Sequence, residues 1–133
     1  MEPPIFSLVQ KLLDVDAPLR PSVEAILGQT LAPFHGSDES ERHFDHFAAT
    51  SEHGCFRRFE LEVPKGRGGV AMNLLLRERP RREAILQRFG NRKSPDYQSG
   101  GRTMLVQTYK GQTLLWVLDK TGSAERVLIQ AGR

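Results

Sequence analysis

A seven-residue stretch occurs twice in this chain of 133 residues, and this repetition limits the fold more than any other feature. The stretch 21–27 recurs at 80–86, 59 positions later, with proline and the sequence Glu-Ala-Ile-Leu identical at the same spacing. Self-similarity at a fixed offset is typical of a fold built from copies of one unit. The sequence therefore predicts two internal repeats, over 21–77 and 80–131.

Three runs with strand-like patterns follow each copy of the stretch. In the second run, Phe59, Leu61 and Val63 share one face, and charged residues share the other. A sheet that alternates in this way has one face against the core and one against solvent. The predicted strands are 43–50, 55–63 and 69–77 in the first repeat, and 103–109, 113–119 and 125–131 in the second.

Apolar residues at helical spacing predict an N-terminal helix over 4–15 and a short helix in each repeat, over 21–28 and 81–89. Gly28 suits the left-handed conformation that often ends a helix. The polar, turn-rich segments that we predict as loops are 33–41 and 91–102.

These elements predict an α+β fold in a single domain over 1–133. It consists of two helix-plus-three-strand antiparallel meander repeats and an extra N-terminal helix, with the helices packed on one sheet face. A repeat of about 50 to 60 residues gains only marginal stability from a core of its own, so we expect the halves to share one core. Unpaired strand edges in such a sheet are a template for a homodimer.

Charge is unevenly distributed, although the net charge is only +3. Residues 1–56 carry 3 basic and 9 acidic side chains, whereas residues 57–93 carry 11 basic and 4 acidic ones. This asymmetry indicates either a charged partner or pairing between the two regions. If the partner is nucleic acid, the phosphate contacts would come from Arg57, Arg67, Arg77, Arg79, Arg81, Arg82, Arg88, Arg92 and Lys93.

No apolar run approaches the roughly 20 residues that a membrane-spanning helix needs, and the first residues lack the pattern of a signal peptide. The single cysteine, Cys55, excludes an intramolecular disulfide. We therefore expect a soluble protein of the cytoplasm that does not contact membranes, or of the periplasm if a signal peptide has been removed.

All four histidines lie within the segment 35–53. Residues two apart on a strand share a face, so His43 and Asp45 would point away from His46 and three metal ligands would not converge. A nucleophilic pair of Cys55 with a histidine lacks an evident orienting group. We therefore predict solvated histidines, no metal site, no cofactor and no catalytic residue. An enzyme would require this segment to form a cleft.

Aromatic and charged side chains on the predicted strands suit contacts with a protein better than catalysis. Trp116 lies in a run whose two faces are both apolar, so it belongs either to the core or to an interface. Arg81 and Arg82 stand in the first turn of a helix, where the macrodipole disfavours cations, and a partner surface would explain them. The candidate partner-binding residues are Phe47, Arg58, Glu60, Glu62, Arg77, Arg79, Arg81, Arg82, Tyr109 and Trp116.

The segment Ser22 to Gly28 with its second copy, and the final hairpin Leu114 to Val127, resemble the tandem architecture of the beta-lactamase inhibitory proteins. Small bacterial toxin-immunity proteins have comparable helix-plus-meander builds. The resemblance implies a non-enzymatic protein-binding module, an immunity or inhibitor protein that neutralises a cognate bacterial effector or enzyme by occluding its site. The alternative function is a nucleic-acid-associated protein that binds through the basic segment 57–93.

Overall fold

The computed structural model of the chain describes residues 2–15, 18–90, 97–99 and 101–131. The helices of this part are α1 (Pro4–Asp14), α2 (Arg20–Leu27), α3 (Asp38–His43) and α4 (Arg82–Phe89). Its strands are β1 (Leu31–Pro33), β2 (Phe44–Ala49), β3 (Phe56–Pro64), β4 (Val70–Leu76), β5 (Tyr97–Ser99), β6 (Arg102–Tyr109), β7 (Gln112–Leu118) and β8 (Ala124–Ala131).

The eight strands form one sheet in the order β1-β2-β3-β4-β8-β7-β6-β5, and every neighbouring pair is antiparallel. Each half of the chain is a meander, and the halves meet where β4 pairs with β8. At this seam Leu74 lies opposite Val127 and Met72 lies opposite Ile129. The order of elements is the same from either edge: a helix, then four strands, with the fourth strands paired. The predicted α+β class is confirmed.

The edge strands and one helix differ from the sequence prediction. β1 and β5 have three residues each, too few to show an alternating pattern. α3 lies in a segment that we predicted as a loop. This short helix buries no side chain, so its sequence shows no apolar periodicity. Ser37 caps its first turn by accepting a hydrogen bond from Ser40 N at 3.2 Å. Residues 91–96 and 100 of the second predicted loop lie outside the described residues.

The helices of the two halves correspond at a different offset from the repeated stretch. α2 ends at Gly28 and α4 ends at Gly90, and each glycine N–H donates to a carbonyl of its helix. Val23 and Ile85, five residues before these glycines, are both fully buried. These positions are 62 residues apart, so the seven-residue match is nearly one helical turn out of register with them.

Helices α1, α2 and α4 cover one face of the sheet, as predicted. Their buried side chains join those of the strands in one apolar cluster. Trp116 lies at its centre, with its ring 6.0 Å from that of Phe6 and 5.8 Å from that of Phe89. The indole Nε1 donates to Gln107 Oε1 at 2.9 Å, and Gln107 Nε2 donates to Gly90 O at 2.7 Å. Both buried polar groups are therefore satisfied.

In the part of the chain that the structure describes, no helix combines the length and apolar character needed to cross a bilayer.

Candidate protein-binding face

The sheet face opposite α1, α2 and α4 is called the open face here, and its centre is apolar. The strand register places Leu128 beside Leu115, and Leu115 beside Val106. These side chains are partly exposed, because the helices pack on the other face. The six residues of this apolar patch are Leu75, Met104, Val106, Leu115, Val117 and Leu128.

The apolar patch follows from strands that are apolar on both faces. In β7, Leu114 and Trp116 are fully buried against the helices, whereas Leu115 between them is partly exposed on the open face. Contiguous apolar surface on a single chain is typical of interaction sites. The sequence prediction missed these open-face residues. The signal that indicates them is the set of apolar residues at positions alternating with the core residues of β4, β6, β7 and β8.

The other half of the open face is charged. Arg58 forms an ion pair with Glu60, and Glu62 Oε2 lies 3.6 Å from His46 Nδ1. Between this half and the apolar patch, Asn73 Oδ1 is enclosed and has no hydrogen-bond partner among the described residues. A hollow of about 380 Å³ opens at one end of the face, lined by Phe44, Glu62, Gly69, Val70, Ala71, Gly111, Thr113, Gln130 and Ala131.

The three aromatic candidates lie on the helix-covered side and not on the open face, and partner binding by the partly exposed Phe47 and Tyr109 stays a prediction. Trp116 is fully buried. Phe47 lies opposite buried Leu61, with Arg20 Cζ 4.7 Å from its ring centre. The hydroxyl of Tyr109 accepts from Gln10 Nε2 at 3.0 Å in α1. Alternation along a strand shows which residues share a face, but it does not show which face the helices cover.

The candidate arginines between β4 and α4 contact this chain's own acids and backbone. Arg77 pairs with Glu52, and Arg81 Nε lies 3.7 Å from Glu83 Oε1. Arg82 N donates to Gly122 O at 3.0 Å. Backbone bonds of this kind dock the start of α4 on the β7–β8 turn. These backbone bonds would form with any side chains at these positions, so partner binding by Arg81 and Arg82 stays a prediction.

Asp119 anchors the same turn. Its Oδ1 accepts from Thr121 Oγ1 at 2.6 Å and from Ser123 N at 3.1 Å, and its Oδ2 accepts from Arg79 Nη1 at 2.8 Å. The hydrogen bond from Thr121, followed by those from Arg79 and Ser123, holds the pKa of Asp119 well below its usual range. Arg79 is therefore a structural ligand of a carboxylate.

Internal pairing also reduces the positive charge available to nucleic acid. In addition to the pairs above, Arg88 Nε lies 2.8 Å from Glu2 Oε2. Arg57 and Arg67 have no ion-pair partner among the described residues, and Arg92 and Lys93 lie outside them. Binding through the segment 57–93 stays a prediction.

One histidine departs from the prediction of solvated rings. His46 is only 7% exposed, beneath residues 34–43, which are called the strap here. Ser40 Oγ lies 2.9 Å from His46 Nε2 on one side of the ring, and Glu62 lies on the other. Gly36 lies so close that an added Cβ would be 2.7 Å from His46 Nε2. The imidazole therefore fastens the strap to β2.

This order of hydroxyl, imidazole and carboxylate is that of a hydrolase triad, but its surroundings favour a structural role. The Glu62 contact of 3.6 Å is beyond hydrogen-bond length. Ser40 N, which would have to stabilise an oxyanion, donates instead to Ser37 Oγ. The strap covers most of the ring, although His46 borders a hollow of about 400 Å³ beside the strap.

Cys55 and His53 have local roles. His53 Nδ1 accepts from Cys55 N at 3.0 Å, and its ring stacks on Phe56 with 4.5 Å between ring centres. Burial raises the pKa of the Cys55 thiol, and the charge of Glu78 adds to this effect. A raised pKa lowers the thiolate fraction that a nucleophile needs. Among the described residues, no three acidic, histidine or cysteine side chains are placed to hold a metal ion.

The sequence matches no known protein family, and no curated protein is similar to it in sequence. The fold is similar to that in the crystal structure of a DUF4309 family protein (YjgB) from Bacillus subtilis. The two chains are 12% identical, with a TM-score of 0.55, and the match covers 90% of this chain and 82% of that one. At this identity the likeness extends to the fold alone.

Proposed function

We propose that this chain is a non-enzymatic protein-binding module, an immunity or inhibitor protein that occludes the site of a bacterial effector or enzyme. The observation that carries the proposal is the apolar patch on the open face. Its side chains are held in register by a rigid sheet, so little conformational entropy is lost when a partner covers them. The resemblance to tandem inhibitor proteins supports the same function.

The charged half of the open face complements the apolar patch. Arg58, Glu60 and Glu62 stand at its side, where charged groups stay near solvent in a typical interface. Such groups speed the encounter with a partner of complementary charge and set its orientation. The strap borders this half, so it is positioned to extend the contact.

Affinity capture with matched variants tests the proposal. The full chain is immobilised and exposed to lysate of its native cells, with and without nuclease treatment. The test variant, Leu115→Asp with Leu128→Asp, places charge in the apolar patch. The control, Leu19→Asp, changes an exposed apolar residue at the start of α2, on the other side of the sheet. Circular dichroism shows whether each variant is folded.

We expect a stoichiometric protein that survives nuclease, binds the wild type and the control, and is lost with the test variant. Capture of no stoichiometric protein, or of one that both variants retain, contradicts the proposal. Nucleic acid that is lost on nuclease treatment and released by added salt would favour binding through the segment 57–93.

A further inference from the structure

We infer that the docking surface of the partner carries a carboxylate that pairs with Arg126 in the middle of the apolar patch. The inference rests on the proposed function and names the chemistry of the partner. Arg126 lies in β8, opposite Leu75 on one side and Val117 on the other. Because the next residue, Val127, is fully buried against the helices, alternation places the exposed Arg126 on the open face.

Arg126 lies on the open face and has no acidic partner among the described residues. Arg58 and Arg102, which alternation also places on the open face, are already paired with Glu60 and Glu125. A carboxylate lies within 4.0 Å of Arg20, Arg58, Arg77, Arg79, Arg81, Arg88 and Arg102. The five N–H donors of the Arg126 guanidinium are therefore available to an external acceptor.

The surroundings of Arg126 favour a carboxylate as that acceptor. A guanidinium fork matches the two oxygens of a carboxylate, and the pair is stronger where water is excluded. A partner that covers the partly exposed Leu75 and Leu128 removes water from Arg126 as well. Without a carboxylate it would leave the buried cation unpaired, which disfavours binding. Glu60 and Glu62 on the same face repel the dense phosphates of nucleic acid, so we assign a protein carboxylate.

A simpler role for Arg126 is to keep an apolar sheet face soluble by extending its charge into water. Lysine serves that role equally well, but it cannot form the two parallel hydrogen bonds of a guanidinium. Arg126→Lys therefore separates the two roles, and Arg126→Gln removes the charge. Arg67→Gln is the control, because Arg67 is an exposed arginine in the β3–β4 hairpin without an ion-pair partner among the described residues.

The probe is a phage-displayed library of short random peptides, selected on the immobilised full chain. Two synthetic peptides are titrated against wild type and variants by fluorescence anisotropy. The first has the selected consensus sequence, and the second is identical except that Glu is changed to Gln. We expect the selected peptides to share an acidic residue flanked by apolar residues. Arg126→Gln should weaken binding about tenfold or more, and Arg126→Lys severalfold. Arg67→Gln should have no effect, and the Gln peptide should not distinguish wild type from Arg126→Gln.

Selected peptides without a carboxylate, equal binding by Arg126→Gln, or no enrichment at all would overturn the inference. One outcome separates the two claims. If the selected peptides bind Arg126→Gln as tightly as wild type but do not bind the Leu115→Asp, Leu128→Asp variant, the open face remains the docking site and only the carboxylate assignment fails. The capture experiment with native lysate decides the proposed function separately.

Discussion

At the scale of single residues, the hydrogen bonds of Trp116 and Gln107 connect the sheet to the end of α4. Trp116→Phe removes the indole N–H and leaves Gln107 Oε1 buried without a donor. We expect the free energy of unfolding to fall by roughly 2–4 kcal/mol, from the unpaired acceptor and the smaller ring together. Because Trp116 is the only tryptophan, urea unfolding must be followed by circular dichroism. Gln107→Leu supplies the second variant of a double-mutant cycle, and strictly additive losses would contradict the coupling.

Gly36 sets the position of His46 beneath the strap. Gly36→Ala would place a Cβ 2.7 Å from His46 Nε2, so the ring must move away from Ser40. We expect destabilisation of about 1–3 kcal/mol, the usual effect of crowding a packed site. The matched control is Gly54→Ala, where a Cβ meets no atom within 4 Å. Urea titrations of both variants check the prediction. Equal midpoints would show that the strap does not depend on this contact.

At the scale of elements, Asp119 makes the β7–β8 turn sensitive to pH. In the folded protein the pKa of Asp119 lies below its ordinary value of about 3.8. The ionised carboxylate therefore stabilises the fold at pH values above about 3.8, and this stabilisation is lost as the pH falls through the folded-state pKa. Asp119→Asn should therefore unfold more readily than wild type at neutral pH, by a margin that narrows below pH 3.8. Thermal melting curves at pH values from neutral to below 3.8 check this prediction. The control is Asp45→Asn, which changes an exposed aspartate. A margin independent of pH would contradict the assignment.

Helices and strands also show why the sequence predicts the positions of strands better than it predicts which face of the sheet is covered. β2, β3, β4, β6, β7 and β8 lie in runs that either alternate in polarity or are apolar throughout, and the sequence displays both patterns directly. α3 is stabilised by Ser37 and by acidic residues in its first turn. These signals involve only a few residues, whereas the polar composition of the whole segment indicates a loop. The burial of His46 depends on the strap folding back over β2. No periodic pattern encodes such a contact between separate segments.

At the scale of the whole molecule, the two halves meet in one continuous sheet with α1, α2 and α4 on one side. This arrangement leaves an open face on β3, β4, β8, β7 and β6, beside the strap that covers β2. The sequence indicated that such a face would exist, through the charged residues that alternate along β3. It did not indicate the apolar patch, because a strand that is apolar on both faces, such as β7, is equally consistent with helices on either side. The side on which α1 packs decides which face of the sheet is open.

Methyl-group NMR of the labelled protein, alone and with the captured partner, tests the open face most directly. The account predicts that the methyl resonances of Leu75, Leu115 and Leu128 shift or broaden on binding, because these side chains become covered. The resonances of Leu19 and Ile26 at α2 should not change. Changes confined to Leu19 and Ile26, with the open-face methyl groups unaffected, would contradict the central claim and move the binding site to the helix side.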